Sequence, residues 1–219
     1  MNLKEGYNMK TLIISGGNVT KEILKDVLEN NSFDNIIAVD KGLEILDECK
    51  IEPNYIIGDF DSVNTRIVNR YNNANIIKLN PEKDFTDTHM TIKLALEIKS
   101  SYIVILGAIG TRIDHTIANI HVLKECMEQQ IECKIINENN KIELINKQHI
   151  LYLNNKYRYV SLIPLTTKVE GVTLKGFKYP LINATLKIGE SIGISNEQIE
   201  KKAIIELKNG ILILIQSKD

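Results

Sequence analysis

Tryptophan is absent from this chain of 219 residues, so any flat ligand ring that stacks on the protein must use tyrosine or phenylalanine. Cysteine is scarce. Cys49, Cys126 and Cys133 are an odd number at wide spacing, which speaks against a disulfide framework and against a zinc site. Each reads as a small buried hydrophobe suited to a reducing interior. Excess charge of either sign is also lacking. The 27 basic and 28 acidic residues leave a formal net charge of −1, and no basic stripe marks a nucleic-acid or anionic-membrane surface. No apolar run approaches the roughly 18 residues of a membrane span, and the opening MNLKEGYN is not a charged-then-apolar leader. Internal repeats and low-complexity segments are missing. With 43% hydrophobic and 25% charged residues, the composition is that of a cytoplasmic globular protein.

What is present falls into two halves. Strand-like runs at KTLIIS (10–15), NIIAV (35–39), YIIG (55–58), NIIKL (75–79) and YIVILG (102–107) alternate with helix-period stretches at 19–29, 41–49, 86–98 and 113–129. In the last stretch Ile113, Ile117, Ile120, Leu123 and Met127 are expected on one buried face. The alternation predicts a parallel, Rossmann-like α/β domain over residues 1–132, with ligands beyond the carboxyl ends of its strands. From there CKIIN, KIELIN, HILYL, YRYVSLI, KVEGVTL, ATLKIG, KAIIEL and GILILIQ follow one another, with Asn209-Gly210 read as a hairpin turn. Residues 133–219 are therefore expected to form an antiparallel β-sandwich or barrel domain.

Acids gather where the strands of the first half end. In GDFDS (58–62), an extended backbone would point Asp59 and Asp61 to the same side, where they can hold a hard cation such as Mg²⁺. The plainer reading is an exposed acidic turn with Ser62 capping a helix. Asp84 and Asp87 lie in PEKDFTDTHM with Lys83 and Thr86, directly before a helix whose apolar residues include Met90, Leu94 and Ile98. There Thr86 can serve as the cap and an acid suits the helix dipole. Asp40 ends a further strand. In GAIGTRIDHT (107–116), Gly107 and Gly110 let the backbone approach an anion, and Arg112 can clamp a phosphate. Asp114 and His115 then enter the first helical turn; the plainer reading is a glycine turn with an Arg112–Asp114 ion pair. Acids after four of five strands fit one polyanionic ligand bound with Mg²⁺.

Gly16-Gly17, Asp40, GDFDS, KDFTD (83–87), GAIGTRIDHTIANI (107–120), GFKYPL (176–181) and IGISNE (192–197) together resemble the thiamine pyrophosphokinase family, in order and over nearly the whole chain. The resemblance implies transfer of the pyrophosphoryl group of ATP to the hydroxyl of thiamine, giving thiamine diphosphate and AMP. It also implies Mg²⁺ and a homodimer, with thiamine between the α/β half of one subunit and the β half of the other. By matching position, Asp59, Asp61 and Asp87 would hold Mg²⁺ and the nucleotide phosphates. Asp40, Asp84 and Thr86 would line the same cleft. Arg112, Asp114 and His115 would contact ATP or organise its loop, and Ser195 and Asn196 would face the thiamine pyrimidine. Asp59 or Asp87 would accept the hydroxyl proton, and Tyr179 is a candidate wall for the thiamine ring. The sequence departs from the family pattern at Lys41, Thr111 and His89, none of them an implied metal ligand.

Two other classes compete. Asp59-Phe60-Asp61-Ser62-Val63 also fits the nucleophile motif of haloacid-dehalogenase-like phosphatases, in which the first Asp attacks phosphorus. That family carries the motif on a strand near the N-terminus, whereas two strand–helix units precede it here. A non-catalytic nucleotide-binding regulator would fit the fold but leave the acids unused.

Overall fold

The structure, a computed structural model, describes residues 9–60, 65–80, 82 and 84–219. Asp61, Ser62 and Lys83 lie outside the described residues. The chain forms two compact units that divide between Glu138 and Asn139.

The first unit runs β1 (Met9–Ile14), α1 (Lys21–Asn30), β2 (Asn35–Val39), α2 (Gly42–Cys49), β3 (Tyr55–Gly58), α3 (Thr65–Val68), β4 (Asn75–Lys78), α4 (Asp87–Glu97), β5 (Ser100–Leu106), α5 (Ile113–Glu128) and β6 (Glu132–Ile136). Its strands lie in the order β6-β5-β1-β2-β3-β4, and the pairs are parallel. The central strands read as continuous apolar runs because helices cover both faces. Leu12, Ile13 and Ile14 of β1, and Ile103 to Leu106 of β5, are wholly buried. Each such side chain contributes about 1.5–3 kcal/mol of transfer free energy.

Helix α5 buries a different face from the one expected. In α5 the buried residues are Asn119, Leu123 and Cys126, an i, i+4, i+7 stripe, while Ile113 and Ile117 are 63% and 50% exposed. An apolar count overlooks this face because an asparagine begins it. In α4 the buried apolar residues are Ile92, Ala95 and Leu96. The run CKIIN also moves. It belongs to β6, which pairs in parallel with β5, and so extends the α/β unit rather than opening the antiparallel half.

The second unit comprises β7 (Asn140–Ile145), β8 (His149–Tyr152), β9 (Tyr159–Pro164), β10 (Lys168–Lys175), β11 (Leu181–Lys187), β12 (Asn196–Glu197), β13 (Lys202–Glu206) and β14 (Leu212–Ser217). Two antiparallel arrays, β12-β9-β14-β7 and β11-β10-β13-β8, share a core that includes Val160, Leu162, Val172, Ile205 and Leu214. This is a sandwich. Asn209-Gly210 is not a hairpin within one sheet: β13 pairs with β10 and β8, whereas β14 pairs with β7 and β9. The turn instead carries the chain from one layer to the other. Among the described residues no helix is long and apolar enough to cross a membrane.

Candidate active site

The order of the parallel strands reverses direction between β1 and β5, and open α/β sheets bind their ligands at such a switch point. The loops leaving these two strands run side by side. The Ser15 N–H donates to the Leu106 carbonyl at 2.8 Å and the Gly17 N–H to the Gly107 carbonyl at 3.0 Å. Glycine is required on both sides of this seam. A Cβ on Gly17 would lie 2.3 Å from the Gly107 oxygen, and one on Gly107, whose φ is +70°, would lie 2.4 Å from the Ser15 oxygen. The Asn119 amide, buried on α5, donates to the Ala108 carbonyl at 2.9 Å and holds the second loop from beneath.

A cleft of about 760 Å³ opens over the two loops, within the size range of small-molecule sites. Asp40, Thr86, Asp87, Arg112 and His115 all line it. Thr86 is the N-cap of α4 and its hydroxyl accepts from the His89 N–H at 3.2 Å. That leaves Asp87 as the first helical residue, where the helix dipole favours a carboxylate. Beside it Thr88 is buried, its hydroxyl 3.1 Å from that of Ser15, which ties α4 to the loop after β1. Asp40, at φ +45°, leans across the end of β3. Its Oδ1 sits where a Cβ on Gly58 would come within 1.8 Å, so Gly58 is needed to admit that carboxylate.

Arg112 lines the cleft and is also ion-paired. Its Nη2 and Nε reach the two Asp114 oxygens at 2.6 and 3.3 Å, the ion pair of the plainer reading. The hydrogen bond from Arg112 pulls the Asp114 carboxyl down to about 2, and the same bond raises the guanidinium. Asp114 itself does not line the cleft. Asp84 is exposed and Asp59 half-buried, and neither belongs to the cleft wall. In the strand order β3 is two strands from β1, roughly 10 Å at the usual strand spacing. Phe60, the residue after Asp59, has φ +62° and so is not in an extended conformation; the expected alignment of Asp59 with Asp61 involves a residue outside the described ones.

Polar residues of the cleft that the sequence does not mark as site residues are Ser15, Asn18, Thr88, Asn119, Asn137 and Glu138. Glu138 follows β6, a strand assigned by its apolar pattern to the wrong half. It accepts the hydroxyl hydrogen bond of Thr20, the N-cap of α1, at 2.8 Å. A short apolar run before a polar pair was the only available signal.

In the second unit Ser195 is exposed at φ +54°, its N–H donating to the Ser161 hydroxyl at 3.0 Å. Asn196 is buried. Its amide donates to the Tyr179 carbonyl at 2.7 Å and its oxygen accepts from the Tyr179 N–H at 3.0 Å. The asparagine therefore fixes the backbone of Tyr179, whose side chain is exposed.

Among the described residues no three acids, histidines or cysteines cluster tightly enough to hold a metal by themselves. Asp40 and Asp87 do line one cleft, and the Oδ1 of each is buried. Mg²⁺ takes one or two protein carboxylates and completes its shell with water and substrate phosphate. The donor set fits Mg²⁺ that arrives with a phosphorylated substrate.

A parallel α/β unit with a glycine-walled, acid-bearing cleft at its switch point, followed by a β-sandwich, defines a protein that handles a phosphorylated small molecule. Residues 25–135 match the model of the thiamin pyrophosphokinase catalytic domain, and residues 147–212 match that of the thiamin pyrophosphokinase vitamin B1 binding domain. The chain belongs to the thiamine pyrophosphokinase family. It is 33% identical over 216 residues to the thiamine pyrophosphokinase of Bacillus subtilis, covering 96% of this chain and 100% of that one. The crystal structure of thiamine pyrophosphokinase from Bacillus subtilis matches at a TM-score of 0.86 and 30% identity, over 96% of this chain and 99% of that one. That of the Geobacillus thermodenitrificans protein matches at 0.85 and 29%, over 96% and 98%. The protein is thus an enzyme that makes thiamine diphosphate, and the phosphatase and regulator readings fall away.

Proposed function

We propose that the cleft over the β1 and β5 loops binds the phosphates of ATP together with Mg²⁺, and that pyrophosphoryl transfer to thiamine occurs there. The observation that carries this reading is the convergence of Asp40, Asp87, Arg112 and His115 on two interlocked glycine loops within one cleft. In the reaction the thiamine hydroxyl oxygen bonds to the β-phosphorus of ATP, the bond from that phosphorus to the bridging α-phosphate oxygen breaks, and AMP leaves. The hydroxyl proton passes to a carboxylate of the acid cluster, Asp59 or Asp87. Positioning and charge neutralisation do most of the work in such transfers.

Each residue then has a role. Asp40 and Asp87 would hold the cation within the cleft, and Asp59 and Asp61, which follow β3, would be further ligands from the same acid set. The Asp40 carboxylate lies over Gly58 at the end of β3. When bound, Mg²⁺ offsets charge on the β-phosphate and on the departing AMP. Backbone N–H groups of the glycine loops and the first turn of α5 receive phosphate oxygens. Arg112 turns from Asp114 to phosphate or shares its fork between them, a motion open to a side chain 69% exposed. Thr86 keeps α4 capped, and Asp84 and Asp114 tune the rim. Within the matched vitamin B1 binding segment, Ser195 offers its hydroxyl to the pyrimidine, and Asn196 acts by holding Tyr179 as the aromatic wall. A homodimer in the cytoplasm completes the reading. Its support is the apolar surface of the second unit, where Ile182 is 86% exposed and Ile188 and Ile192 each 61%.

Titration calorimetry of ATP into the protein, with and without Mg²⁺, tests the site. The expected result is binding that needs Mg²⁺ and weakens in Arg112→Ala. Equal binding of ATP with and without Mg²⁺, unaffected by Arg112→Ala, would contradict it.

A further inference from the structure

The first turns of α4 and α5 both line the cleft, the one through Thr86 and Asp87, the other through Arg112 and His115. Farther along these helices lies a cluster that touches none of the cleft and that the reaction leaves unused. Glu125, in the fourth turn of α5, accepts from His89 Nε2 at 2.9 Å with one oxygen and from Lys93 Nζ at 3.2 Å with the other. His89 and Lys93 are four residues apart on α4, so they share a face and both reach the same carboxylate. The three side chains are only 21%, 34% and 29% exposed for His89, Lys93 and Glu125, which shields the pairs from full solvent screening. Phe85, the residue before the cap, folds back onto them. Its ring meets the His89 ring edge-on at 4.6 Å between centroids, and Lys93 Nζ lies 5.1 Å from its centre.

His89 is thus bound at both ends. Its backbone N–H is held by the Thr86 hydroxyl and its ring by Glu125, with Phe85 packed on the ring. Thr86 and Asp87 lie between these anchors in sequence. We propose that Glu125, gripping His89 and Lys93 beneath Phe85, is a positioning device that fixes the Asp84–Asp87 turn against α5 and so sets Asp87 relative to Arg112. These are positioning residues, since none of the four touches the cleft. The inference rests on the reading that Asp87 acts in that cleft. A helix tie with no such role would affect stability alone, whereas a misplacement of about 1 Å in a phosphoryl-transfer site lowers turnover up to about 100-fold.

The test compares His89→Leu, His89→Gln, Glu125→Ala and the His89→Leu/Glu125→Ala double variant, at a temperature where all are folded. Turnover is expected to fall tenfold or more in both single Leu and Ala variants, with the KM for thiamine little changed. His89→Gln, which keeps an N–H donor, should recover most of it, and the double variant should lose no more than either single one. Wild-type turnover in His89→Leu and Glu125→Ala, with only the melting temperature lowered, would overturn the proposal. So would losses that multiply in the double variant. Should the wild type itself form no thiamine diphosphate, the reading of the cleft fails, and the clamp is then judged by amide hydrogen exchange at His89 and Met90. Faster exchange there in Glu125→Ala supports it, and unchanged exchange overturns it.

Discussion

Asp87 combines three properties that seldom coincide in a surface carboxylate: a place in the cleft wall, a buried Oδ1 and the first position of a capped helix. Its removal should therefore cost far more in turnover than in folding. Asp87→Asn keeps the shape, and turnover is expected to fall on the order of 100-fold, comparable to losing one preorganised charge-stabilising group. Steady-state kinetics beside a thermal melt would check the split. Asp114 makes the opposite case, a carboxylate perturbed by its partner yet outside the cleft wall. Because its folded value is depressed to about 2 by Arg112, the pair favours the fold at pH values above the ordinary carboxylate range. That contribution is lost only as pH falls through about 2 and is constant near neutrality. A carboxyl-carbon NMR titration should place the Asp114 midpoint near 2, and Arg112→Ala should return it towards the ordinary value of about 3.9. An unmoved midpoint would show that Arg112 is not the cause.

Among the elements, the seam between the loops after β1 and β5 is the least tolerant of change. Gly107→Ala meets both a positive φ and the Ser15 oxygen 2.4 Å away, so it should destabilise the protein by about 1–3 kcal/mol. At this chain length each kcal/mol lowers the melting temperature by about 2–4 °C, and a rise in the KM for ATP should accompany the shift. Thr86→Ala removes the cap of α4 and should cost about 1 kcal/mol. Much at this scale was legible in the sequence. The strands of the α/β unit stand out as β-branched runs, and Thr86 before Asp87 reads as a helix start because capping is local chemistry. Other features depended on partners that no local pattern encodes. The Asn209-Gly210 turn looks the same whether the next strand returns to its own sheet or crosses to the other. Asn119 faces inward because it holds the Ala108 carbonyl, a contact eleven residues away. Nor could the spacing of acids reveal which of them reach the cleft: Asp40 and Asp87 do, while Asp59 and Asp114 lie off its wall, since the switch point fixes where the cleft opens.

At the scale of the whole molecule, the α/β unit carries the cleft over the β1 and β5 loops and the β-sandwich carries Ser195, Asn196 and Tyr179 within its vitamin B1 binding match. The exposed isoleucines of the sandwich underlie the proposed dimer. Light scattering should give twice the mass of one chain, and Ile182→Asp should shift that towards a single chain if the residue lies at the interface. Pyrophosphoryl transfer driven by the acids of the cleft is the proposed activity. Purified protein incubated with ATP, Mg²⁺ and thiamine, with products separated by chromatography, tests it most directly. The expected products are AMP and thiamine diphosphate in equal amounts, abolished by EDTA and strongly reduced in Asp87→Asn. ADP with thiamine monophosphate, or thiamine diphosphate formed undiminished in EDTA, would contradict it.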